Sequence, residues 1–236
     1  MNSVNQMEKP KGLAGKFAKF AVRAGIALVV VYFVAGLVWR FSGSNQWEFK
    51  EEKNGVKVYT LKAPGLDSHQ VKGIVRLRST LAGLVKFMQD PSVCDEVGCY
   101  ESRMFEREDD QVQYYTFRYD VPLVFKTREF VVKAQFHQDP RTKIVTLQFD
   151  AAPEKLPPNK CCFRITDMNN VWRFKPLGDG MVEIEYVMNM NEGGYIPYIL
   201  LNTGGPQVMT GLLPELEKMV GKEKYQSAKF DFITEK

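Results

Sequence analysis

The chain has 236 residues, with 32 basic and 28 acidic side chains and a net charge of +4. Hydrophobic residues make up 44% and charged residues 25%, which excludes a disordered or fibrous chain and leaves room for a large core or a ligand cavity. Four cysteines and two histidines exclude a disulfide-dense scaffold, and no metal site or cofactor is expected.

The charge is unevenly placed. Residues 1–40 hold six basic groups (Lys9, Lys11, Lys16, Lys19, Arg23, Arg40) and one acid, Glu8. The other 196 residues hold 26 basic and 27 acidic groups, so the main body is close to neutral. A nucleic-acid-binding domain is normally basic, and no nucleic-acid partner is expected.

Residues 1–17 read as a basic leader and 18–40 as a transmembrane anchor. The stretch 24–39, AGIALVVVYFVAGLVW, is uncharged and bracketed by Arg23 and Arg40. As a helix it covers about 24 Å of a hydrocarbon layer of roughly 30 Å, and Phe17, Phe20 and Val22 extend it. It has no amphipathic face, which argues against a buried core helix. The basic leader predicts a cytoplasmic N-terminus, with the C-terminal domain across the membrane. Val34-Ala35-Gly36 keeps a cleaved signal peptide open as the alternative.

Residues 41–46 form a short polar linker, and a domain follows over 47–225. Trp47–Lys50 and Val56–Leu61 flank Asn54-Gly55, a hairpin signal. His69–Ser79 alternates, with Val71, Gly73, Val75 and Leu77 on one face. Thr80 is placed to cap a helix carrying Leu81, Leu84, Val85 and Met88, which Asp90-Pro91 ends. Strands are predicted at Tyr100–Glu108, Gln111–Val121, Arg128–Gln138, Lys143–Ala151, Cys161–Met168, Val171–Pro176 and Val182–Asn191. Turn signals separate them, Asn169-Asn170 among them. Gly193-Gly194 and Pro197 then break the sheet. Val208, Leu212, Leu213, Leu216, Met219 and Val220 mark a long terminal helix, with Pro206 at an early position and Pro214 at a kink. Residues 226–236 read as a tail. The fold class is α+β: a curved antiparallel sheet gripping a long C-terminal helix, with an internal cavity.

No catalytic motif is present, so no catalytic residue is assigned. His69 and His137 read as surface imidazoles. Cys161 and Cys162 are adjacent on a predicted strand, so their side chains face opposite ways. Cys94 and Cys99 lie five apart in a turn-rich segment; in an oxidising compartment they can close a disulfide, and otherwise they are free thiols. Arg118 and Arg128 stand within strand patterns. Each is a candidate for a polar head group, with a solvated face or a structural ion pair as the alternative. Tyr186 and Met188 share a face with Val182 and Ile184, where flexible methionine suits a lipid-lined wall.

Residues 47–220 resemble a bacterial-type START domain, the lipid-transfer branch of the helix-grip superfamily. Five stretches carry the resemblance, in order. They are Trp47 with Gly55–Tyr59; Asp90-Pro91-Ser92 through Cys94 and Cys99 to Arg107; Tyr119–Glu129; Trp172–Pro176; and Gly193–Asn202 with the terminal helix. Two departures stand out: Glu96-Val97 where such domains often carry tryptophan, and Glu129 where aspartate is commoner. The resemblance implies a tunnel between sheet and terminal helix, with the apolar Val121–Phe125 loop at its mouth. It also implies a lipid, sterol or other apolar ligand. The lining set expected is Arg118, Arg128, Phe125, Phe130, Phe136, Tyr186, Met188, Ile196, Val208 and Leu212. Lipid binding and transfer, tethered to a bacterial inner membrane and facing the periplasm, is the combined reading. An enzyme acting on an apolar substrate, as in related cyclases, and a ligand-free interaction module are the rivals. The oligomeric state is left open.

Overall fold

The computed structural model describes residues 13–121, 125–194 and 196–235. Most of the leader, the Pro122-Leu123-Val124 centre of the mouth loop, and Tyr195 lie outside them.

α1 spans Leu13–Phe41 as one helix, about 43 Å long at 1.5 Å per residue. It is long and apolar enough to cross a membrane, and none of its apolar stretch is buried in the protein. A core helix is therefore excluded. The 41–46 stretch does not hang free. Asn45 N–H donates to the Lys62 carbonyl (3.0 Å) and Gly65 N–H to the Arg40 carbonyl (2.7 Å). The buried Lys62 ammonium donates to the carbonyls of Arg40, Ser42 and Ala63 at 3.1–3.3 Å. Burial pushes that ammonium pKa down, and nearby Asp67 opposes the shift. The Trp39 indole donates to the Asp67 carbonyl (2.8 Å), and Arg40 pairs with the Asp67 carboxylate at 3.5 Å. His69, expected at the surface, instead lies partly buried with its ring 5.3 Å from that of Trp39. His137 is exposed as expected.

The sheet begins with β1 (Trp47–Lys53), β2 (Val56–Leu61) and β3 (Gln70–Arg78). Asn54 and Gly55 both have positive φ (54° and 77°), which matches the right-handed twist of a two-residue hairpin. α2 (Leu81–Met88) follows, capped by the Thr80 hydroxyl, which accepts from Gly83 N–H at 2.9 Å. A short α3 (Val93–Glu96) precedes β4 (Cys99–Arg107), β5 (Val112–Tyr119), β6 (Arg128–Gln138) and β7 (Val145–Ala151). Then come β8 (Phe163–Arg164), β9 (Asp167–Gly178), β10 (Met181–Met188) and β11 (Met190–Asn191). The main path runs β1-β2-β3-β10-β9-β7-β6-β5-β4; β11 pairs with β9, and β8 pairs with β6 in parallel.

Two strand assignments change. Asn169-Asn170 is not a turn but part of β9. The Asn169 amide donates to Asp150 (2.6 Å), and Asn170 accepts from Asn189 N–H (2.9 Å) and donates to the Tyr186 hydroxyl (3.3 Å). With their amides satisfied inside the sheet, neither needs a turn. The strand expected over Cys161–Met168 shrinks to β8, because Cys161 and Cys162 are bonded to each other within a turn. Adjacent bonded sulfurs cannot face opposite ways. Cys94 and Cys99 are also paired, leaving no free thiol.

The expected single terminal helix is broken. α4 spans Tyr198–Leu212, a 3-10 turn holds Leu213–Glu215 with Pro214, and α5 (Leu216–Val220) and α6 (Glu223–Gln226) follow. Pro206 lies inside α4 rather than near its start, since the helix begins after Pro197. The tail is docked. The Glu235 carboxylate accepts from Leu81 and Ala82 N–H, both at 2.9 Å, at the start of α2. Phe230, Phe232 and Ile233 pack on the core.

α4 packs on β2 and β3, while α2 packs against α5, α6 and β9. The core between helices and sheet includes Leu77, Leu84, Phe136, Leu147, Phe174, Ile184, Met209, Leu213 and Leu216. Gly73 of β3 allows the close approach. A Cβ there would lie 2.4 Å from Leu213 Cδ1 and 2.9 Å from Met209 Sδ. Gly205 makes the reciprocal contact, where a Cβ would lie 2.6 Å from Val71 Cγ2.

Two predictions follow from this packing. Gly73→Val overpacks the helix–sheet contact and lowers stability by about 1–3 kcal/mol. Urea unfolding checks it, and an unchanged midpoint means that α4 does not press on β3. The second concerns Asp90, which joins the end of α2 to α6 by accepting from Lys224 (2.8 Å) and the Tyr225 hydroxyl (2.9 Å). Burial works to raise its carboxyl, but bonds from Lys224, Ser92 and Tyr225 outweigh it and hold the pKa well below 3.8. A depressed acid contributes stability above its unfolded pKa and loses it as pH falls through the folded one. Asp90→Asn is therefore destabilised at neutral pH, and its gap to wild type closes only below about pH 3.8. A gap independent of pH refutes the assignment.

Candidate functional site

Alternation along β5 and β6 places the inner wall. Phe117 packs against the core from β5, and Phe130 belongs to the core on β6. They are direct partners in register, and their rings stack at 4.7 Å and 7°. A second stack joins Trp172 of β9 to Tyr186 of β10, at 3.9 Å and 8°. The Tyr186 hydroxyl accepts from Asn170, and burial pushes its pKa up. Met188 is the register partner of Val71, beside Gly205 of α4. Phe136 is also buried on this wall, but eight residues along β6 from Arg128. That is roughly 27 Å at strand rise, so the two do not share one site.

Arg128 is 3% exposed and gathers the segments at one end of the wall. Its Nε donates to the Glu192 carbonyl (2.7 Å), one Nη to the Gly193 carbonyl (3.0 Å), and the other to the Lys126 carbonyl. One guanidinium thus ties the loop carrying Phe125 to the segment leading into α4. Its ring neighbour is Phe163, 5.2 Å away, and Phe163 in turn occupies the space where Gly193 would carry a Cβ. Burial pushes the Arg128 pKa down and that of the Glu192 carboxyl up, while each charge partly restores the other. Phe125 and Ile196 are both partly buried in these two segments.

Arg118 lies elsewhere. It shares the outer face of β5 with Thr116 and pairs with Glu101 of β4. On the same face, Arg164 donates twice to Glu129 Oε2 (2.7 and 2.9 Å) and also to the carbonyls of Pro153, Leu156 and Pro157. These groups and Arg103 border a polar cleft of about 280 Å³ beneath Leu156–Asn159. The buried Glu129–Arg164 pair braces the 153–164 segment against the sheet. Of the two noted departures, Glu129 has this role, and Glu96 pairs with Lys222 at 2.6 Å.

The apolar stripe of α4 is set by Gly205 and Met209 and continues through Leu213 of the 3-10 turn; all three face the sheet. Val208, expected to line the site, is 40% exposed and points away, because the Gly205 contact fixes the helix rotation. Leu212 is partly buried against the core. Met209, Phe117, Trp172, Phe163 and Glu192 were not foreseen as part of this site. Met209 stands four residues before Leu213 and Phe117 two after Tyr115, so periodicity held both signals. Nothing local in the sequence joins Phe163 or Glu192 to Arg128.

No family model matches the chain. An uncharacterized protein of Pseudomonas aeruginosa is 22% identical over 184 residues, covering 77% of this chain and 88% of its own length. Among solved structures, a STAR-related lipid transfer protein fragment from Xanthomonas axonopodis superposes with a TM-score of 0.69. It is 24% identical, and the match covers 75% of this chain and 99% of that one. Human STARD10 gives 0.67 at 15% identity, over 78% of this chain and 76% of that one. Human StAR-related lipid transfer protein 5 gives 0.62 at 15% identity, over 84% and 97%. The strand order, the terminal helix on the sheet and these superpositions agree: the chain carries the helix-grip fold of START-type lipid transfer domains.

Proposed function

We propose that this protein binds a lipid or another apolar ligand between its sheet and α4, and exchanges it with a bilayer while tethered there by α1. The observation that carries the reading is the placement of α4. It packs on β2 and β3, whereas Phe117 and Phe130 lie on β5 and β6, at the other flank of the sheet. From β3 to β5 is five strand spacings, roughly 24 Å along the sheet, wider than α4 at about 10–12 Å; α2 packs on β9 within that span, and the proposed ligand would take the interval between α4 and the Phe117–Phe130 stack. The walls of that interval are apolar and aromatic, with the Arg128 cluster at one end. Burying each methylene is worth about 0.8 kcal/mol, so an acyl chain or sterol-like body binds without any chemical step. The START likeness of the neighbours supports a lipid as the ligand, and the reading assigns no covalent reaction. In it the leader lies in the bacterial cytoplasm, and the domain faces the periplasm from the inner membrane.

Native mass spectrometry of the full chain, purified in mild detergent, is expected to show a bound lipid-sized adduct that organic extraction removes. A chain that carries no adduct after incubation with phospholipid, fatty acid and sterol mixtures sinks the proposal.

Phe125 tests the mouth. Its side chain is only partly buried, so Phe125→Asp is expected to hold its thermal stability to within roughly 1 kcal/mol while transfer of a fluorescent lipid between vesicles is lost. Stability lost together with transfer makes Phe125 ordinary core. Transfer kept removes the loop from the mechanism.

A further inference from the structure

The junction between α1 and the domain is built like a mount rather than a hinge. The last turn of α1 is bonded to the 62–69 segment through the Trp39 indole, the Arg40 carbonyl and the Arg40 guanidinium. The same segment is bonded to α4. Asn202 Oδ1 accepts from His69 N–H at 2.7 Å, and Asn202 Nδ2 donates to the Asp67 carbonyl at 3.1 Å. The Asp67 carbonyl therefore accepts from Trp39 on one side and from Asn202 on the other.

This chain of contacts fixes a height. Tryptophan at the end of a membrane span sits at the headgroup level. Asp67 is one hydrogen bond from Trp39, and Asn202 is one more. Ile199 and Leu200 precede Asn202 by three and two residues, which is within one helical turn. Both are exposed, at 57% and 43%, as is Leu66 beside Asp67, at 40%. Three large apolar side chains thus lie at the same end of the domain as the exit of the anchor.

We propose that the bilayer crossed by α1 is also the docking surface of the domain, with Leu66, Ile199 and Leu200 held at the lipid interface by the Trp39–Asp67–Asn202 bridge. The inference rests on α1 spanning a membrane, as in the function proposed above, but not on lipid being carried. It names the membrane served: the mouth near the first turn of α4 addresses the anchor's own bilayer.

Hydroxyl-radical footprinting of the full chain in phospholipid nanodiscs tests this. Leu177, 39% exposed on β9, lies beside Gly178, which Met181 of β10 links in register to Arg78 at the end of β3 far from Asp67, and it serves as the accessible reference. Leu147, fully buried, reports an intact fold. In the wild type, Leu66, Ile199 and Leu200 are expected to be oxidised severalfold less than Leu177. A flexible Gly-Ser insertion between Phe41 and Ser42, combined with Trp39→Phe, Lys62→Ala and Asp67→Ala to remove the side-chain bonds of the mount, keeps the tether and is expected to raise their oxidation to the Leu177 level while Leu147 stays protected. Asn202→Ala, which cuts the bridge to α4, is expected to expose Ile199 and Leu200 more than Leu66. Equal oxidation of all four sites in the wild type overturns the proposal. Protection that survives the insertion overturns the role of the anchor. A chain that binds no lipid but shows the expected pattern removes the function proposed above and leaves the docking intact.

Discussion

The approach of α4 to β3 is as close as two missing side chains allow. Gly73 takes up Leu213 and Met209, and Gly205 takes up Val71. Because the two glycines lie on opposite partners, the contact fixes both the position of the helix along the strand and its rotation. That rotation sends Met209 and Leu213 to the sheet and Val208 to solvent. It also commits the helix to the β2–β3 flank, so that it does not lie centrally on the sheet. A bulkier residue at either glycine would lift α4 along its whole length, since packed interiors do not yield locally.

Two arginines, Arg128 opening β6 and Arg164 on the paired β8, solve different problems on the two faces of the sheet. Arg164 meets a carboxylate, Glu129, and three carbonyls on the outer face, so a buried charge is fully compensated and the 153–164 segment is held. Arg128 meets three carbonyls on the inner face, with Glu192 near enough to influence its ionisation. A cation bonded only to carbonyls, with its anion near but not bonded, is less well compensated than one bonded directly to a carboxylate. Arg128 therefore joins its segments with a less fully compensated charge than the one that holds the 153–164 segment.

Local chemistry made most of the architecture readable. Asn54-Gly55, Thr80 and the alternation through Val71, Gly73, Val75 and Leu77 gave β1–β3 and α2 with nearly correct ends, because each depends on neighbours a few residues away. The errors share a cause. Asn169-Asn170 read as a turn because its partners, Asp150, Tyr186 and Asn189, lie up to twenty residues off. Cys161 and Cys162 read as strand because alternation ignores covalent bonding. Arg118 and Arg128 carried the same sequence signal, and only the register of β5 on β6 separates an outer-face ion pair from an inner clamp. The polar stretch at 41–46 looked like a linker because its bonds from Ser42 and Asn45 run to Lys62, which composition does not show.

The dependence of α2 on Glu235 bears on how the protein is made. The helix is synthesised early, yet the carboxylate that satisfies its first N–H groups comes from more than 150 residues later. β3 likewise waits for β10, with Val71 opposite Met188. As the chain leaves the ribosome, the β1–β3 hairpins have an open edge, while α1 has already emerged and is free to enter a membrane. An unpaired strand edge is an aggregation hazard for as long as synthesis continues. The lysines and glutamates along β1 (Glu48, Lys50, Glu51, Glu52, Lys53) oppose pairing of the other edge with a neighbour until β10 and Glu235 have been made.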